Sequence, residues 1–306
     1  MNLLRLAPAI AAAALGASVV LAQAPQAANP TVDWKRSDEA WRDRAERNLR
    51  QDNGWLTLAG RFPLKMGVNT FGTDAKNDIV FATGLGAGRM GTITVEKGKV
   101  SVKLAGENTM TKDGVSFNEY VFSTSPGKPD WVTMGRLAMH VIEREGKYIL
   151  RLADNESQVR AQFGGRTWYE LKDGFRVEAT FHPYKDKKIE IVNVLDEVSQ
   201  EVSPGYVEFK LDGKTHRLDA VGDEGLFFVM RDGTSGDTTY RPSRFLYVDA
   251  MPKDGEKLML DFNKAYNPPC AFSEFTTCPL PPEQNILKVR IEAGETYPPK
   301  KLPKAS

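Results

Sequence analysis

The chain has 306 residues, of which 41% are hydrophobic, so it can bury a core of ordinary size. Its 41 lysines and arginines nearly balance its 40 acidic residues, and the charges are spread along the sequence without a block of one sign. This balance excludes the basic surface with which proteins bind nucleic acid or anionic membranes, and neither partner is expected.

The first residues, Met1–Ala22, have the three parts of a secretory signal peptide. Arg5 gives the positive start, an apolar stretch follows, and small residues allow cleavage after Ala22 or Ala24. The apolar stretch is about 15 residues long, short of the roughly 20 that span a bilayer. We therefore expect a periplasmic or secreted protein without a membrane span. Because Arg5 is the only charge in the segment, the mature chain is formally neutral.

The next two segments are predicted to be a flexible leader over residues 23–33 and a helix over 34–53. Ser37 is the expected N-cap, and Asn53-Gly54 is the expected stop signal. An apolar stripe recurs at four-residue spacing, which is typical of a helix packed on one side. It consists of Trp41, Ala45 and Leu49.

After Trp55 the hydrophobic pattern changes to period two, with about fifteen strands and turn signals every 8–12 residues. Lys97-Gly98 and Asp212-Gly213 predict tight hairpins, and Leu287–Ile291 is the last predicted strand. The pattern predicts a mostly β fold, an antiparallel sandwich or barrel with one N-terminal helix. We expect one β-rich domain over 54–299, with a soft boundary between two β lobes near 154–165, and a tail over 300–306.

Two motifs that resemble cofactor sites do not fit that chemistry. The glycine-rich run Gly84–Gly91 resembles a phosphate loop, but Thr92–Val95 predicts a strand where a helix N-terminus is required. The three histidines, His140, His182 and His216, show no spacing typical of a zinc site. No cofactor and no metal are therefore predicted.

A proline-rich loop near the C-terminus carries the densest group of candidate residues. A strand before it predicts Asp261 and Asn263 on one face, facing outward or lining a cavity, with Tyr266 and Asn267 at the start of the loop. Cys270 and Cys278 are most simply one local disulfide in an oxidising compartment, although a reactive cysteine pair stays open. The rigid loop fits a binding function and a purely stabilising one equally well.

Polar residues also concentrate upstream. Arg151, Asp154 and Glu156 lie at the end of a predicted strand, and His182 ends another, where its ring is placed to reach the rim of a pocket. A second group of arginines and aspartates runs from Arg231 to Arg244. Such groups form structural ion-pair networks or bind acidic and hydroxylated ligands.

The C-terminal motif resembles that of family 1684 of the domains of unknown function. The resemblance lies in residues 260–272 (LDFNKAYNPPCAF), 278–282 (CPLPP), Asn285 and 291–295 (IEAGE). Shorter upstream motifs at residues 54–60, 67–69, 163–168 and 236–240 fit it too. The resemblance thus extends over nearly the whole mature chain. It implies no activity.

Three functions are consistent with these observations. The first is a small-molecule binding protein, with a polar rim formed by the candidate ligand residues, which are Arg151, Asp154, His182, Asp261, Asn263, Tyr266 and Asn267. The second is a metal-independent periplasmic hydrolase with an acid–base pair formed by Asp261 and Asp154 or Glu156. The third is a structural or interaction protein of the cell envelope. The sequence identifies no catalytic residue and no oligomeric state.

Overall fold

The computed structural model describes residues 30–125, 129–144, 146–249 and 251–297, so the predicted signal peptide, the tail and most of the leader lie outside the described residues. The helices are α1 (Pro30–Leu49) and α2 (Gln158–Gln162). The strands of the described ranges are β1 (Leu58–Pro63), β2 (Gly67–Gly72), β3 (Ile79–Val80), β4 (Gly91–Glu96), β5 (Lys99–Leu104), β6 (Met110–Lys112), β7 (Val115–Phe117), β8 (Glu119–Phe122), β9 (Val132–Met134), β10 (Leu137–Arg144), β11 (Lys147–Asp154), β12 (Thr167–Trp168), β13 (Arg176–Val192), β14 (Val198–Leu211), β15 (Lys214–Asp219), β16 (Leu226–Met230), β17 (Arg244–Val248), β18 (Lys257–Asp261) and β19 (Glu295–Thr296).

These strands form three main sheets and two small ones. The first sheet has the order β1-β11-β10-β9-β6-β7, the second β3-β2-β4-β5-β8, and the third β15-β14-β13-β18. The pairs β16–β17 and β12–β19 stand apart. All neighbours are antiparallel except β2 and β3. Each sheet of the described residues is open, so the predicted mostly β antiparallel fold is confirmed in its sandwich-like form and not as a barrel.

The two largest hydrophobic clusters of the described residues hold the sheets together. In the first, period-two side chains of the second sheet such as Ile93 and Val102 pack against Leu150 and Leu152 of the first sheet. In the second, the third sheet packs against the β16–β17 pair and the segment that follows β18. The first core draws on residues 71–152 and the second on residues 177–293. Full burial of each large aliphatic side chain stabilises the fold by about 1.5–3 kcal/mol.

The helix α1 is shifted towards the N-terminus relative to its prediction. It begins at Pro30 and ends at Leu49, whereas residues 34–53 were expected, and Ser37 lies in its interior and not at its cap. Proline fits the first position of a helix because no hydrogen bond is lost there. The chain after Leu49 turns tightly, with Asn53 at φ 60°. No helix among the described residues is long and apolar enough to cross a membrane.

The predicted strand Leu287–Ile291 does not form. Its backbone bonds instead to the loop after β16: the Leu287 amide donates to the Arg231 carbonyl, and the Ile291 amide donates to the Asp232 carboxylate. Leu287 and Ile291 are nevertheless buried in the second core. The alternating pattern therefore predicted the burial of these side chains correctly, although the backbone forms its hydrogen bonds with a loop and not with another strand.

Candidate functional site

A cavity of about 570 Å³ opens between the β10–β11 hairpin, the β13–β14 turn and the segment after β15. We call this cavity the cleft. Its apolar wall contains Ile149, Ile191, Val221, Phe227 and Pro279. Its charged lining contains Arg144, Lys147, Glu197, Glu201, Asp223 and Glu224. Apolar walls with a few polar groups are typical of small-molecule sites.

Three basic side chains form a row across the first sheet beside the cleft. In the strand register, Arg151 of β11 stands opposite Arg61 of β1 on one side and opposite His140 of β10 on the other. We call Arg61, His140 and Arg151 the cationic row. Because side chains two residues apart share a face, Arg151 lies on the same face as Ile149 of the cleft. The Glu197 carboxylate of the cleft lies 4.0 Å from the Arg61 guanidinium.

The central arginine of this row is buried without a counter-ion. Arg151 is 8% exposed and has no hydrogen-bond or ion-pair partner among the described residues; its guanidinium lies over the Trp55 ring at 5.7 Å. Burial lowers the pKa of Arg151 to about 10, and the charges of Arg144 and Arg61 act in the same direction. The side chain therefore still carries its proton at neutral pH.

His140 completes the row in its neutral form. It is buried against the Trp131 ring, with 4.0 Å between ring centroids, and its Nδ1 has no partner among the described residues. Burial lowers the pKa of His140 to about 4, and the charge of Arg151 contributes. A neutral imidazole offers one N–H donor and one acceptor to a neighbouring group.

Asp154 lies at the end of the same strand as Arg151 but belongs to a different contact. Its carboxylate receives two hydrogen bonds from Arg136, one of them from Nε at 2.6 Å. The same guanidinium lies 3.5 Å from the carboxylate of the exposed Glu156. The structure thus places both upstream carboxylates in an ion-pair cluster around Arg136.

The expected outward face of Asp261 and Asn263 is wrong. Strand β18 ends at Asp261, and a 3₁₀ turn over Phe262–Lys264 follows, so period two stops there. Asp261 is 9% exposed and Asn263 is fully buried. Asp261 accepts hydrogen bonds from the Asn263 amide at 3.1 Å and from Arg176 Nε at 3.1 Å. The polar atoms close the turn and do not line the cleft.

A second carboxyl group, which the sequence pattern did not single out, lies beside Asp261. Asp38 of α1 is buried there, and its Oδ1 lies 3.0 Å from Lys264 Nζ, while its Oδ2 has no partner among the described residues. Burial raises the pKa of Asp38, Lys264 opposes this, and the Asp261 carboxylate adds to it. The available signal was the position of Asp38, one turn before Trp41 on the apolar stripe.

Tyr266 and Asn267 meet Glu295 and Arg166, which the sequence showed only as parts of the family motif. Glu295 is 1% exposed and accepts hydrogen bonds from Arg166 and from the Asn267 amide, the latter at 2.8 Å. Burial raises the pKa of Glu295 to about 7, although Arg166 lowers it. Burial likewise raises the pKa of Tyr266 to about 12. This group joins the C-terminal motif to the segment near residue 166.

His182 lies on the third sheet, where its ring stacks on Tyr206 with 4.8 Å between centroids. It is half-buried and is not among the residues that line the cleft. The candidate ligand residues thus fall into separate groups, and only Arg151 lies beside the cleft. Among the described residues, no three His, Cys, Asp or Glu side chains are close enough to hold a metal ion.

Cys270 and Cys278 form the predicted disulfide, with their Cα atoms 6.1 Å apart. The loop that they close packs through Ala271 and Phe272 against Leu49, the last residue of α1, and against Leu56 in the turn that follows. The disulfide therefore fixes the surface on which the end of α1 rests.

Replacing both cysteines by serine is expected to lower the free energy of unfolding by about 2–3 kcal/mol, the chain-entropy effect of so short a loop. Urea denaturation of the double variant measures it. Wild-type protein in a reducing agent is the matched control and should give the same curve. Unchanged stability of the double variant would show that packing alone holds the loop.

The fold and the cleft define a β-sandwich-like protein with a small-molecule-sized cavity. A family model described as "Protein of unknown function (DUF1684)" matches residues 161–296. The chain belongs to this family. The match covers less of the chain than the motifs indicated, because residues 54–160 lie outside it.

A solved structure that is similar in sequence bears on part of the chain. It is the solution NMR structure of an uncharacterized protein of Haloarcula marismortui, which is 32% identical. The match covers 45% of this chain and 78% of that one, with a TM-score of 0.39. No curated protein matches the chain.

Proposed function

We propose that this protein is exported and binds a small molecule in the cleft. The observation that supports the proposal is the cavity of about 570 Å³ with an apolar wall and a charged lining. Its volume falls in the range of about 300–1,000 Å³ that small-molecule sites occupy. The signal-peptide pattern of Met1–Ala22 supports export.

Binding is favoured over hydrolysis by the acid–base pair that the sequence predicted, because those carboxylates do not line the cleft. Asp154 and Asp261 belong to different sheets, and each is held by its own arginine, Arg136 or Arg176. The carboxyl group that does lie beside Asp261 belongs to Asp38 of α1, and it is buried. An acid–base pair must reach its substrate together, and neither Asp154 nor the Asp38–Asp261 pair lines the cleft, whose own carboxylates are Glu197, Glu201, Asp223 and Glu224.

The proposal predicts that filling the cleft abolishes binding. Ser199 is half-buried and lines the cleft, so Ser199→Trp should block it. Ser101→Trp, at a half-buried position on β5 of the second sheet, is the matched control. Native mass spectrometry of protein purified without added ligand should show a bound mass in wild type and in the control, and none in Ser199→Trp.

The same samples also test the other parts of the proposal. A denatured mass that lacks residues 1–22 or 1–24 supports export. If the native mass equals that of the bare chain, a screen of small carboxylic and phosphorylated metabolites for a rise in Tm follows. A bare chain whose Tm responds to none of them would contradict small-molecule binding and favour a structural role in the envelope.

A further inference from the structure

We propose that the cationic row, together with Arg144, is the subsite that binds the oxyanion group of the ligand, a carboxylate or a phosphate. The proposed function supplies the location of the rest of the ligand, and this inference adds its chemical class.

Arg151 differs from Arg244, the other buried arginine of the described residues, in having no hydrogen-bond or ion-pair partner there. Arg244 and the half-buried Arg166 bind the carboxylates of Asp232 and Glu295 through their terminal nitrogens. Both leave Nε unpaired, so an unpaired Nε is ordinary here. Arg151 has no partner on any nitrogen among the described residues, although it is 8% exposed. Buried charged side chains are almost always paired, and Arg151 keeps its donors available for an anionic group of a ligand.

Two further guanidinium groups add positive charge around Arg151. Arg61 lies across one strand and Arg144 lies further along the hairpin, and both repel the Arg151 proton. Only Glu197 approaches, at 4.0 Å from Arg61, and Arg144 donates to the Thr277 hydroxyl at 3.0 Å. The contact with Trp55 at 5.7 Å is at the outer limit of a cation–π interaction. Among the described residues, one carboxylate is therefore within ion-pair distance of the three guanidinium groups, while Glu201, Asp223 and Glu224 line the cleft without an ion pair to them.

Guanidinium groups are the side chains best suited to this task. Their planar fork of N–H donors matches the two oxygens of a carboxylate or phosphate, and partial burial strengthens such bonds. His140 adds a nitrogen with no partner among the described residues on the far side of Arg151. The row thus offers donors from three adjacent strands to one oxyanion.

The sheet places this subsite at one end of the cleft. Arg144, Lys147, Ile149 and Arg151 share the face of the β10–β11 hairpin that is turned away from the first core. A ligand with its anionic end on the row would lay an apolar body on Ile149 and the facing wall. The inferred ligand class is therefore a small organic anion with an apolar portion.

The test is isothermal titration calorimetry at low ionic strength with two probes, inorganic phosphate and succinate. Wild type should bind at least one of them, and the preferred probe identifies the oxyanion. Arg151→Met should weaken binding at least tenfold, and Arg61→Met should act in the same direction should the first variant fold poorly. Arg217→Met, on the third sheet, is the control and should leave the affinity unchanged.

Thermal unfolding without ligand separates this role from a structural one. Because Arg151→Met removes an uncompensated buried charge, its Tm should equal or exceed that of wild type. A clear fall in Tm with unchanged probe affinity would overturn the inference, as would a wild type that binds neither probe. If Ser199→Trp abolishes binding of a purified ligand while Arg151→Met does not, the cleft is supported as the binding site and the anion subsite is contradicted. If probe binding depends on Arg151 and binding of the purified ligand is unchanged in Ser199→Trp, the anion subsite is supported and the assignment of the ligand to the cleft is contradicted.

Discussion

Replacement of Arg244 by methionine is expected to lower the free energy of unfolding by about 3–5 kcal/mol. Arg244 and Asp232 are fully buried side chains joined at 2.7 Å, and Arg244 also donates to the Ile291 and Ala293 carbonyls. The variant leaves a buried carboxylate without its counter-ion and two carbonyls without this donor. Urea denaturation followed by tryptophan fluorescence measures the loss.

An exposed pair supplies the control for this prediction. Arg290 binds Asp237 at 2.9 Å with both side chains largely exposed, so Arg290→Met should cost less than about 1 kcal/mol. The double variant Arg244→Met with Asp232→Asn should regain much of the lost stability, because no buried charge remains alone and the Asn oxygen still accepts from the Ile291 and Thr234 amides. Equal effects of Arg244→Met and Arg290→Met would contradict the structural importance of the buried pair.

The second large effect is a fall in stability as the pH rises from about 4.5 to about 7. Burial raises the pKa of Glu295 from its ordinary 4.5 to about 7, so the folded chain holds more protons than the unfolded chain in this range. The contribution of Glu295 is therefore full below pH 4.5 and is lost as the pH rises through 7. The loss is on the order of 3 kcal/mol. The raised pKa of Asp38 acts with the same sign.

Urea denaturation at several pH values between 4.5 and 8 tests this. Glu295→Gln should flatten the dependence, since the amide keeps the shape of the acid and does not titrate. Glu292→Gln, three residues away and with its side chain 45% exposed, should leave the slope as in wild type. A wild-type stability that rises over this range, with a flat curve for Glu295→Gln, would mean that the ion pair with Arg166 outweighs burial.

Local pattern was sufficient to predict the β-rich fold. The alternation in β4 and β5 and around Gly146 is complete within a few residues, so each hairpin could be recognised alone. The 17-residue strand β13 was not foreseen as one element. Its register shifts between Pro183 and Lys187, and charged residues there interrupt the hydrophobic alternation.

The candidate site was predictable only in part, because its neighbours are set by long-range register. Arg151 stood out as an arginine within an apolar strand, but Arg61 comes from a strand 90 positions earlier in the chain. The contact between Asp261 and Asp38 likewise depends on the docking of α1, which no local pattern predicts. Strand alternation assigned faces correctly until the chain left the strand at Phe262.

The docking of α1 has a consequence for the order in which the molecule assembles during translation. Arg42 of α1 donates to the carbonyls of Tyr169 and Asn263, and the second of these lies 221 positions later. At about 5–20 residues added per second, a ribosome needs roughly 10–45 s to reach that partner. For this interval the inner face of α1 has no finished surface to rest on. The first helix made is thus among the last to dock, and its apolar stripe of Trp41, Ala45 and Leu49 is where a holding chaperone would act.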